Sequence, residues 1–144
     1  MNTSEITNIL RRHYPEFGGV YPANHIHLIK DNTIAILNTD EANSAGTHWV
    51  AVFVNNHTCE FFDSLGENPE NYHSYWHKFL IKKCCRYVYN DIALQNLKSD
   101  DCGKFCIFYT ILRSQGIEFS SIVRLLKNVN LDSFIYSLMY ESVI

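Results

Sequence analysis

Residues 46–66 read GTHWVAVFVNNHTCEFFDSLG and contain two apolar runs separated by a short polar segment. The runs 49–54 and 59–62 are rich in β-branched and aromatic residues, which predicts two strands. The segment 55–58, Asn-Asn-His-Thr, predicts a turn between them, because Asn tolerates the left-handed backbone conformation that tight hairpin turns require. This stretch therefore predicts an antiparallel hairpin within a small sheet.

The register of this hairpin decides which side chains share a face. A turn centred between Asn56 and His57 places Val50 opposite Asp63 and makes His48 and Asp63 diagonal neighbours. Because side chains alternate along a strand, both then point to the same face, with backbones about 7–8 Å apart. A carboxylate at that distance can orient an imidazole and stabilise its charged form. A turn of odd length would instead place Asp63 on the opposite face.

Apolar periodicity predicts helices before and after the hairpin. They are expected from a cap at Thr3 or Ser4 to about Tyr14, over Pro69 to Lys83, from a cap at Ser99 or Asp100 to about Gln115, over Ser120 to Lys127, and over Asp132 to about Tyr140. The second of these carries an apolar stripe made of Tyr72, Tyr75, Trp76, Phe79 and Leu80. The third is apolar nearly all round and should be central and buried. Short strands are expected at Ile34–Leu37 and Arg86–Tyr89.

The composition limits the classes of protein to which this chain can belong. Hydrophobic residues make up 47% and charged residues 19% of the 144 residues, as is typical of a globular domain. We therefore expect residues 1–144 to form a single α+β domain, in which a small sheet packs on helices. The net charge of −3 argues against a dedicated nucleic-acid binder. The longest apolar run, near Phe105 to Leu112, is far shorter than the roughly 20 residues of a membrane-spanning helix.

The sequence contains five cysteines, and its N-terminal residues show no basic segment followed by an apolar one. Without that secretory signature, we expect an intracellular protein that is not secreted and keeps its thiols reduced. The five are Cys59, Cys84, Cys85, Cys102 and Cys106. Cys59 and Cys106 are interpreted as packing residues of the core.

Cys102 differs from the other thiols because it falls in the first turn of the expected central helix. The positive end of the helix dipole and the free backbone N–H groups there stabilise thiolate, the nucleophilic form. Gly103 allows a backbone or a substrate to approach closely. Asp100 and Asp101 oppose thiolate formation, so a cationic partner is needed. The alternative interpretation is that Cys102 is simply a small core residue.

Two further residues complete a hypothesis of nucleophilic catalysis. His48, at the entrance to the first hairpin strand, is the residue type that activates a thiol as its base. Gln95 lies seven residues before Cys102, and its amide N–H can stabilise the oxyanion of an acyl-transfer intermediate. Taken one at a time, such a His can be a polar surface residue and such a Gln a loop residue.

The order His48, Asp63, Gln95, Cys102 resembles that of the adenain-type cysteine endopeptidases of adenoviruses and of the related proteases of polinton-like elements. These enzymes share a fold core with the SUMO-specific proteases. The resemblance spans roughly residues 15 to 115, and its matching stretches are Ile36-Leu37-Asn38-Thr39, Gly46-Thr47-His48-Trp49, Phe62-Asp63-Ser64-Leu65-Gly66 and Asp101-Cys102-Gly103-Lys104-Phe105-Cys106. It implies a papain-like cysteine protease core of the α+β class, with a small mixed sheet packed against a central buried helix.

The resemblance also implies roles for the matching residues. His48 would be the general base, Asp63 the residue that orients it, Gln95 part of the oxyanion hole and Cys102 the nucleophile, with Trp49 packed beside the site. The implied substrates are viral precursor proteins, cut near small residues during virion maturation. The implied location is the nucleus or cytoplasm of the host cell and the virion. No cofactor is expected to be required.

Some adenoviral relatives are activated by a viral peptide joined through a disulfide to a Cys eleven residues before the Gln. Cys84 stands at that offset from Gln95, which makes it the candidate for binding such a peptide. Cys84 can equally be an inert residue at the end of its helix. The adenoviral enzymes are also basic and stimulated by DNA, whereas the net charge of −3 argues against DNA as a partner here.

Three alternatives remain beside the viral endopeptidase. One is isopeptide or processing cleavage of a ubiquitin-like protein, and another is a catalytically degenerate binding module. The third is a metal site built from paired ligands. The pairs at helical or short spacing are His73 and His77, Cys102 and Cys106, and His25 and His27. No CxxC motif accompanies them, so no metal site is predicted.

Overall fold

The computed structural model describes residues 1–42, 48–56, 58–94, 101–127 and 131–140. The strands are β1 (Val20–Tyr21), β2 (Ile34–Asn38), β3 (Trp49–Asn55), β4 (Thr58–Phe62) and β5 (Tyr87–Tyr89). The helices are α1 (Thr3–His13), α2 (Ser74–Cys84), α3 (Cys102–Ser114), α4 (Phe119–Leu126) and α5 (Leu131–Tyr140). Two short 3₁₀ helices cover Ala23–Leu28 and Pro69–Asn71. Within these ranges, no helix combines the length and the apolar character needed to cross a membrane.

The five strands form one mixed sheet in the order β1-β2-β3-β4-β5. The three central strands are antiparallel, whereas β1 and β5 run parallel to their neighbours at the two edges. Helices α1, α3, α4 and α5 pack with one face of the sheet, and α2 covers the other. The sheet is therefore buried on both faces. The expected α+β class, with a small mixed sheet on a central helix, is confirmed.

The central helix α3 is buried along most of its length. Nine of its residues are buried, from Cys102 at its first position to Ile111. The ring of Tyr109 faces the sheet, where it stacks on that of Phe62 at 4.8 Å between centroids. Helix α3 is covered by the sheet on one side and by three helices on the other. This agrees with its sequence, which is apolar all round. This burial fixes the position of the N-terminal end of the helix.

The register predicted for the hairpin is confirmed. Ala51 pairs with Phe62, and Asn55 pairs with Thr58. The same register places Val50 across from Asp63, just past the end of β4. The continuation of both strands therefore carries His48 and Asp63 toward one face, as the even-length turn requires.

The helix expected over Pro69–Lys83 is interrupted, which corrects that prediction. The 3₁₀ turn at its start is capped by Asn68, whose side chain accepts the N–H of Glu70. The backbone then becomes extended at His73, with φ −148° and ψ 129°, before α2 begins. The interruption removes Tyr72 from the apolar stripe and turns its side chain toward Asp63. At α1, the cap is Asn2, which accepts the N–H of Glu5, and not Thr3 or Ser4.

Two of the five cysteines are joined, which corrects the expectation of five free thiols. Cys59 on β4 and Cys84 at the end of α2 form a disulfide, with their Cα atoms 5.7 Å apart. They meet because α2 packs directly over β4. The α2 side chains of Trp76 and Leu80 are fully buried in this contact. Cys85, Cys102 and Cys106 are free, and only Cys85 among them is exposed.

A partly buried ion pair connects β4 to α3. The Glu60 carboxylate accepts two N–H groups of the Arg113 guanidinium, at 2.9 and 3.0 Å, and the hydroxyl of Tyr109 at 2.6 Å. Arg113 also lies over the ring of Phe53, 5.0 Å from its centroid. The C-terminal half of α3 is thus fixed to the strand that leads into Asp63.

Candidate active site

Cys102 begins α3 and is 6% exposed. Its Sγ accepts hydrogen bonds from the backbone N–H groups of Trp49 and Gly103, and it is hydrogen-bonded to the His48 side chain. Donors from the helix N-terminus, the adjacent strand and the imidazole therefore converge on one sulfur atom. Such donors stabilise an anion at that sulfur.

The ionisation of the two reacting groups follows from these contacts. Burial raises the pKa of Cys102, but its hydrogen bond with His48 and those from the backbone N–H groups outweigh burial, so the pKa falls below its ordinary value. Burial lowers the pKa of His48, but hydrogen bonds to Asp63 and Cys102 outweigh it and raise the pKa to about 9. These contacts therefore shift the pair toward thiolate and imidazolium, relative to a free thiol and a free imidazole.

His48 and Asp63 are in direct contact. The distance from Nε2 of His48 to Oδ1 of Asp63 is 2.6 Å, and the two side chains are 11% and 1% exposed. Since Nε2 binds the carboxylate, Nδ1 is the nitrogen left for the thiol of Cys102. A buried carboxylate in this position holds the imidazole in one orientation and stabilises its charge.

Asp63 is held by the turn that follows it. Oδ1 accepts the N–H of Leu65 at 3.0 Å, and Oδ2 accepts the N–H of Glu67 at 3.2 Å. Gly66 allows this turn, because its φ is +74° and a Cβ there would lie 2.6 Å from the backbone of Ile92. The turn formed by Asp63-Ser64-Leu65-Gly66 therefore positions the Asp63 carboxylate and is not only a surface turn.

Two residues that support Asp63 were not singled out from the sequence. The Asn90 amide accepts the N–H of Asp63 at 3.0 Å and donates to its carbonyl oxygen at 2.5 Å. The Tyr72 hydroxyl donates to Oδ2 of Asp63. For Asn90, a buried polar residue directly after a strand was the available signal. For Tyr72, the apolar stripe concealed the role, because α2 begins only after this residue, at Ser74.

The remaining sequence-predicted residues fall in several places. Gln95 and Asp100 lie outside the described residues. Trp49 lies beside Cys102, as expected from the resemblance. The Asp101 carboxylate, which was expected to oppose thiolate formation, is paired with Lys104. Its Oδ1 lies 3.5 Å from the Lys104 Nζ. Gly103 is approached by the side chain of Met1, 3.4 Å from the position a Cβ would occupy.

Cys84 does not have a free thiol for an activating peptide, because it is bonded to Cys59. Cys106 is fully buried in the core, as interpreted from the sequence, and burial raises the pKa of its thiol. His73 and His77 are hydrogen-bonded to the carbonyl of Thr39 and to the Tyr87 hydroxyl. Among the described residues, no three His, Cys, Asp or Glu side chains are grouped as metal ligands.

The fold and the contacts among Cys102, His48 and Asp63 fit the chemistry of a cysteine protease, and the family comparison supports that class. Residues 21–141 match the model of the Ulp1 protease family, C-terminal catalytic domain. The chain therefore belongs to the Ulp1 protease family, a family of cysteine proteases.

Curated relatives come from African swine fever virus. The SUMO-1 cysteine protease S273R of the Warthog/Namibia isolate is 24% identical over an alignment of 98 residues, and the match covers 61% of this chain. The cysteine protease S273R of the Badajoz strain matches to the same extent. The alignment spans 36% of the length of these relatives.

Solved structures show the same fold. The crystal structure of the African swine fever virus pS273R protease matches with a TM-score of 0.61 and 18% identity, over 85% of this chain and 60% of that one. The SUMO protease Ulp1, with its catalytic cysteine oxidised to a sulfinic acid, matches with a TM-score of 0.54 and 12% identity, over 100% and 79%. At these identities the likeness concerns the fold, and it confirms the cysteine protease core expected from the resemblance.

Proposed function

We propose that this domain hydrolyses peptide bonds, with Cys102 as nucleophile, His48 as general base and acid, and Asp63 as the residue that orients His48. The observation that carries this proposal is the convergence on the Cys102 sulfur of His48 and two backbone N–H groups, with Asp63 behind the imidazole. Nucleophile, base and orienting acid in mutual hydrogen-bond contact are the signature of covalent acyl transfer.

The proposed reaction has two stages. The Cys102 thiolate attacks the scissile carbonyl carbon, and the carbon–nitrogen bond breaks as imidazolium His48 gives its proton to the leaving amine. The acyl group is then a thioester on Cys102. Neutral His48 takes a proton from water, whose oxygen attacks the thioester, and the thiolate leaves as the acid product forms. We propose that Gln95 and the Cys102 backbone N–H donate to the oxyanion in both stages.

For the substrate, we propose viral precursor polypeptides, cut by endopeptidase action during virion maturation inside the host cell. Two observations support this choice. The curated relatives are cysteine proteases of a virus. The four motifs of the sequence occur in the order found in adenain-type endopeptidases. We propose no cofactor and no DNA partner for the reaction, and no activating disulfide at Cys84, whose sulfur is bonded to Cys59.

A second candidate function is cleavage of a ubiquitin-like protein from its precursor or from a lysine side chain. Membership of the Ulp1 family and the name SUMO-1 cysteine protease carried by a relative favour it. The chemistry at Cys102 is the same for both functions, because an isopeptide is also an amide. The difference lies in the protein that the surface around the site recognises.

The test compares cleavage of two substrate sets by the wild-type protein and by Cys102→Ala. One set is candidate viral precursor polypeptides, and the other is a SUMO-1 precursor and a SUMO-1 conjugate. New termini are mapped by mass spectrometry. Cuts in the precursors that are absent with Cys102→Ala support the endopeptidase, and cuts confined to SUMO-1 substrates support the second function. Cleavage that persists in Cys102→Ala overturns both.

A further inference from the structure

Tyr72 contacts both members of the acid–base pair behind Cys102. Its hydroxyl donates to Oδ2 of Asp63 at 2.5 Å, the oxygen that His48 does not use. Its ring centroid lies 6.2 Å from that of the His48 imidazole, with 31° between the ring planes. One residue thus fixes the far oxygen of the carboxylate and lies alongside the imidazole that the near oxygen binds.

The Asp63 carboxylate needs this donor to keep its orientation. Oδ1 accepts from His48 and from the backbone of Leu65, whereas Oδ2 accepts from Tyr72 and from the backbone of Glu67 at 3.2 Å. Tyr72 is therefore the shorter of the two contacts on Oδ2. The Asp63 side chain is only 1% exposed, so water does not readily replace a lost donor. An acceptor left unsatisfied there costs free energy. Without the hydroxyl, Oδ2 keeps only the 3.2 Å contact with Glu67, and the carboxylate plane is held less firmly against His48.

The position of Tyr72 is itself held on three sides. Its ring contacts Phe61 at 6.4 Å and Trp76 at 5.7 Å between centroids. Its backbone N–H donates to the carbonyl of Pro69, which closes the 3₁₀ turn before α2. The interruption of the helix at this point is what aims the side chain at Asp63, since a continuous helix would keep it in the apolar stripe.

We propose that Tyr72 is a positioning residue of the active site, which acts through Asp63 to keep the His48 imidazole aligned with Cys102. This inference rests on the proposed function and assigns a fourth residue to its machinery. Tyr72 stays protonated in this role, because burial and the hydrogen bond to Asp63 raise the pKa of its hydroxyl. The ionisable groups that face it are Asp63, His48, Glu67 and Cys102.

The test uses Tyr72→Phe, which keeps the ring contacts and removes only the hydroxyl. The matched control is Tyr75→Phe, which removes a hydroxyl that donates to Glu41 at an exposed position three residues away. For Tyr72→Phe we expect kcat to fall about 10- to 100-fold with KM unchanged, the factor for one lost hydrogen bond to a charged group. For Tyr75→Phe we expect both constants to stay within twofold of wild type.

A second measurement does not depend on the identity of the substrate. The rate of alkylation of Cys102 by iodoacetamide is followed against pH, with exposed Cys85 as an internal reference. Because a misaligned His48 stabilises the thiolate less, the rise in Cys102 reactivity should move to higher pH in Tyr72→Phe and stay in place in Tyr75→Phe. A wild-type Cys102 no faster than Cys85 would overturn the proposed function itself, whereas a fast Cys102 that Tyr72→Phe leaves unchanged overturns only the role of Tyr72.

A double-mutant cycle separates positioning from packing. If Tyr72 acts through Asp63, Tyr72→Phe should change kcat less than twofold in the background of Asp63→Asn. A packing role predicts a lower melting temperature in both backgrounds with no shift of the alkylation profile. Full additivity of the two substitutions on kcat overturns the proposal.

Discussion

The backbone N–H of Trp49 donates a hydrogen bond to Sγ of Cys102. Strand β4 ends at Phe62, opposite Ala51, so the first residues of β3 have no strand partner on that side. On the other side, the carbonyl of His48 accepts the N–H of Thr39. Because neighbouring residues of a strand direct their N–H groups to opposite sides, Trp49 faces the space beyond β4. The N-terminus of α3 places Cys102 in this space. Its sulfur therefore stands where the carbonyl of a neighbouring strand would otherwise accept the Trp49 N–H.

Cys102→Ala should abolish cleavage and leave the fold intact, because the thiol supplies the nucleophile and its removal creates only a small change in packing. Cys106→Ala is the matched control, four residues later on the same helix and fully buried. That variant should keep kcat within a few-fold of wild type while losing about 1 kcal/mol in the free energy of unfolding. Peptide cleavage and urea denaturation measure the two effects. Cleavage lost in Cys106→Ala and kept in Cys102→Ala would show that the nucleophile is wrongly assigned.

Asp63→Asn should lower kcat by about 10²- to 10⁴-fold, because the amide does not stabilise the imidazolium of His48 and can present a donor to it. It should also lower the free energy of unfolding by about 1–3 kcal/mol, since the carboxylate accepts four hydrogen bonds from its surroundings. The protein should remain folded by circular dichroism. Unchanged turnover would remove Asp63 from the site.

The pH profile of kcat/KM should be bell-shaped. The proposed reaction requires the Cys102 thiolate, and the pKa of this thiol is lowered, so the acidic limb should lie below the pH at which an ordinary thiol ionises. It also requires the proton that His48 gives to the leaving amine, so activity should fall as pH rises through about 9. Initial rates from pH 4 to 10 with one peptide substrate give both limbs. A basic limb near pH 6.5, the ordinary value for His, would contradict the raised pKa of His48.

Glu60→Gln should lower the free energy of unfolding by about 1–3 kcal/mol, because it removes the charge of the carboxylate that pairs with the partly buried Arg113. Asp31→Asn is the matched control, since its ion pair with Lys83 lies at the surface. That variant should change the free energy of unfolding by less than about 1 kcal/mol. Equal losses for the two variants in urea denaturation would show that the Glu60–Arg113 pair contributes no more than a surface pair.

The sequence was sufficient to predict the features that depend on local pattern. The hairpin register followed from the alternation of residues 49–62 and the even turn, and it correctly brought His48 to the same face as Asp63. The central helix, with Cys102 in its first turn, followed from an apolar run with polar residues before it, although α3 is capped at Asp101 and not at Ser99 or Asp100. Both depend on neighbours in the chain, which a single sequence displays.

Features that depend on distant residues were not predictable in the same way. Glu60 reads as a polar residue in a strand, and only the packing of α3 shows that Arg113, 53 positions later, balances its charge. The bond between Cys59 and Cys84 requires knowledge that α2 lies over β4. Tyr72 matched a helical stripe by its spacing, and the interruption at His73 is set by contacts of the 3₁₀ turn that periodicity does not encode.

The Cys59–Cys84 disulfide and the free thiol of Cys102 respond to redox conditions in opposite ways. Strong reductants, which are usually added to keep a catalytic thiol active, also open the bond that fastens α2 to β4. Strong oxidants preserve that bond but convert a thiolate such as Cys102 to sulfenic and then sulfinic acid. Purification and assays therefore call for a buffered ratio of thiol to disulfide, in which Cys102 stays reduced while the Cys59–Cys84 pair stays closed.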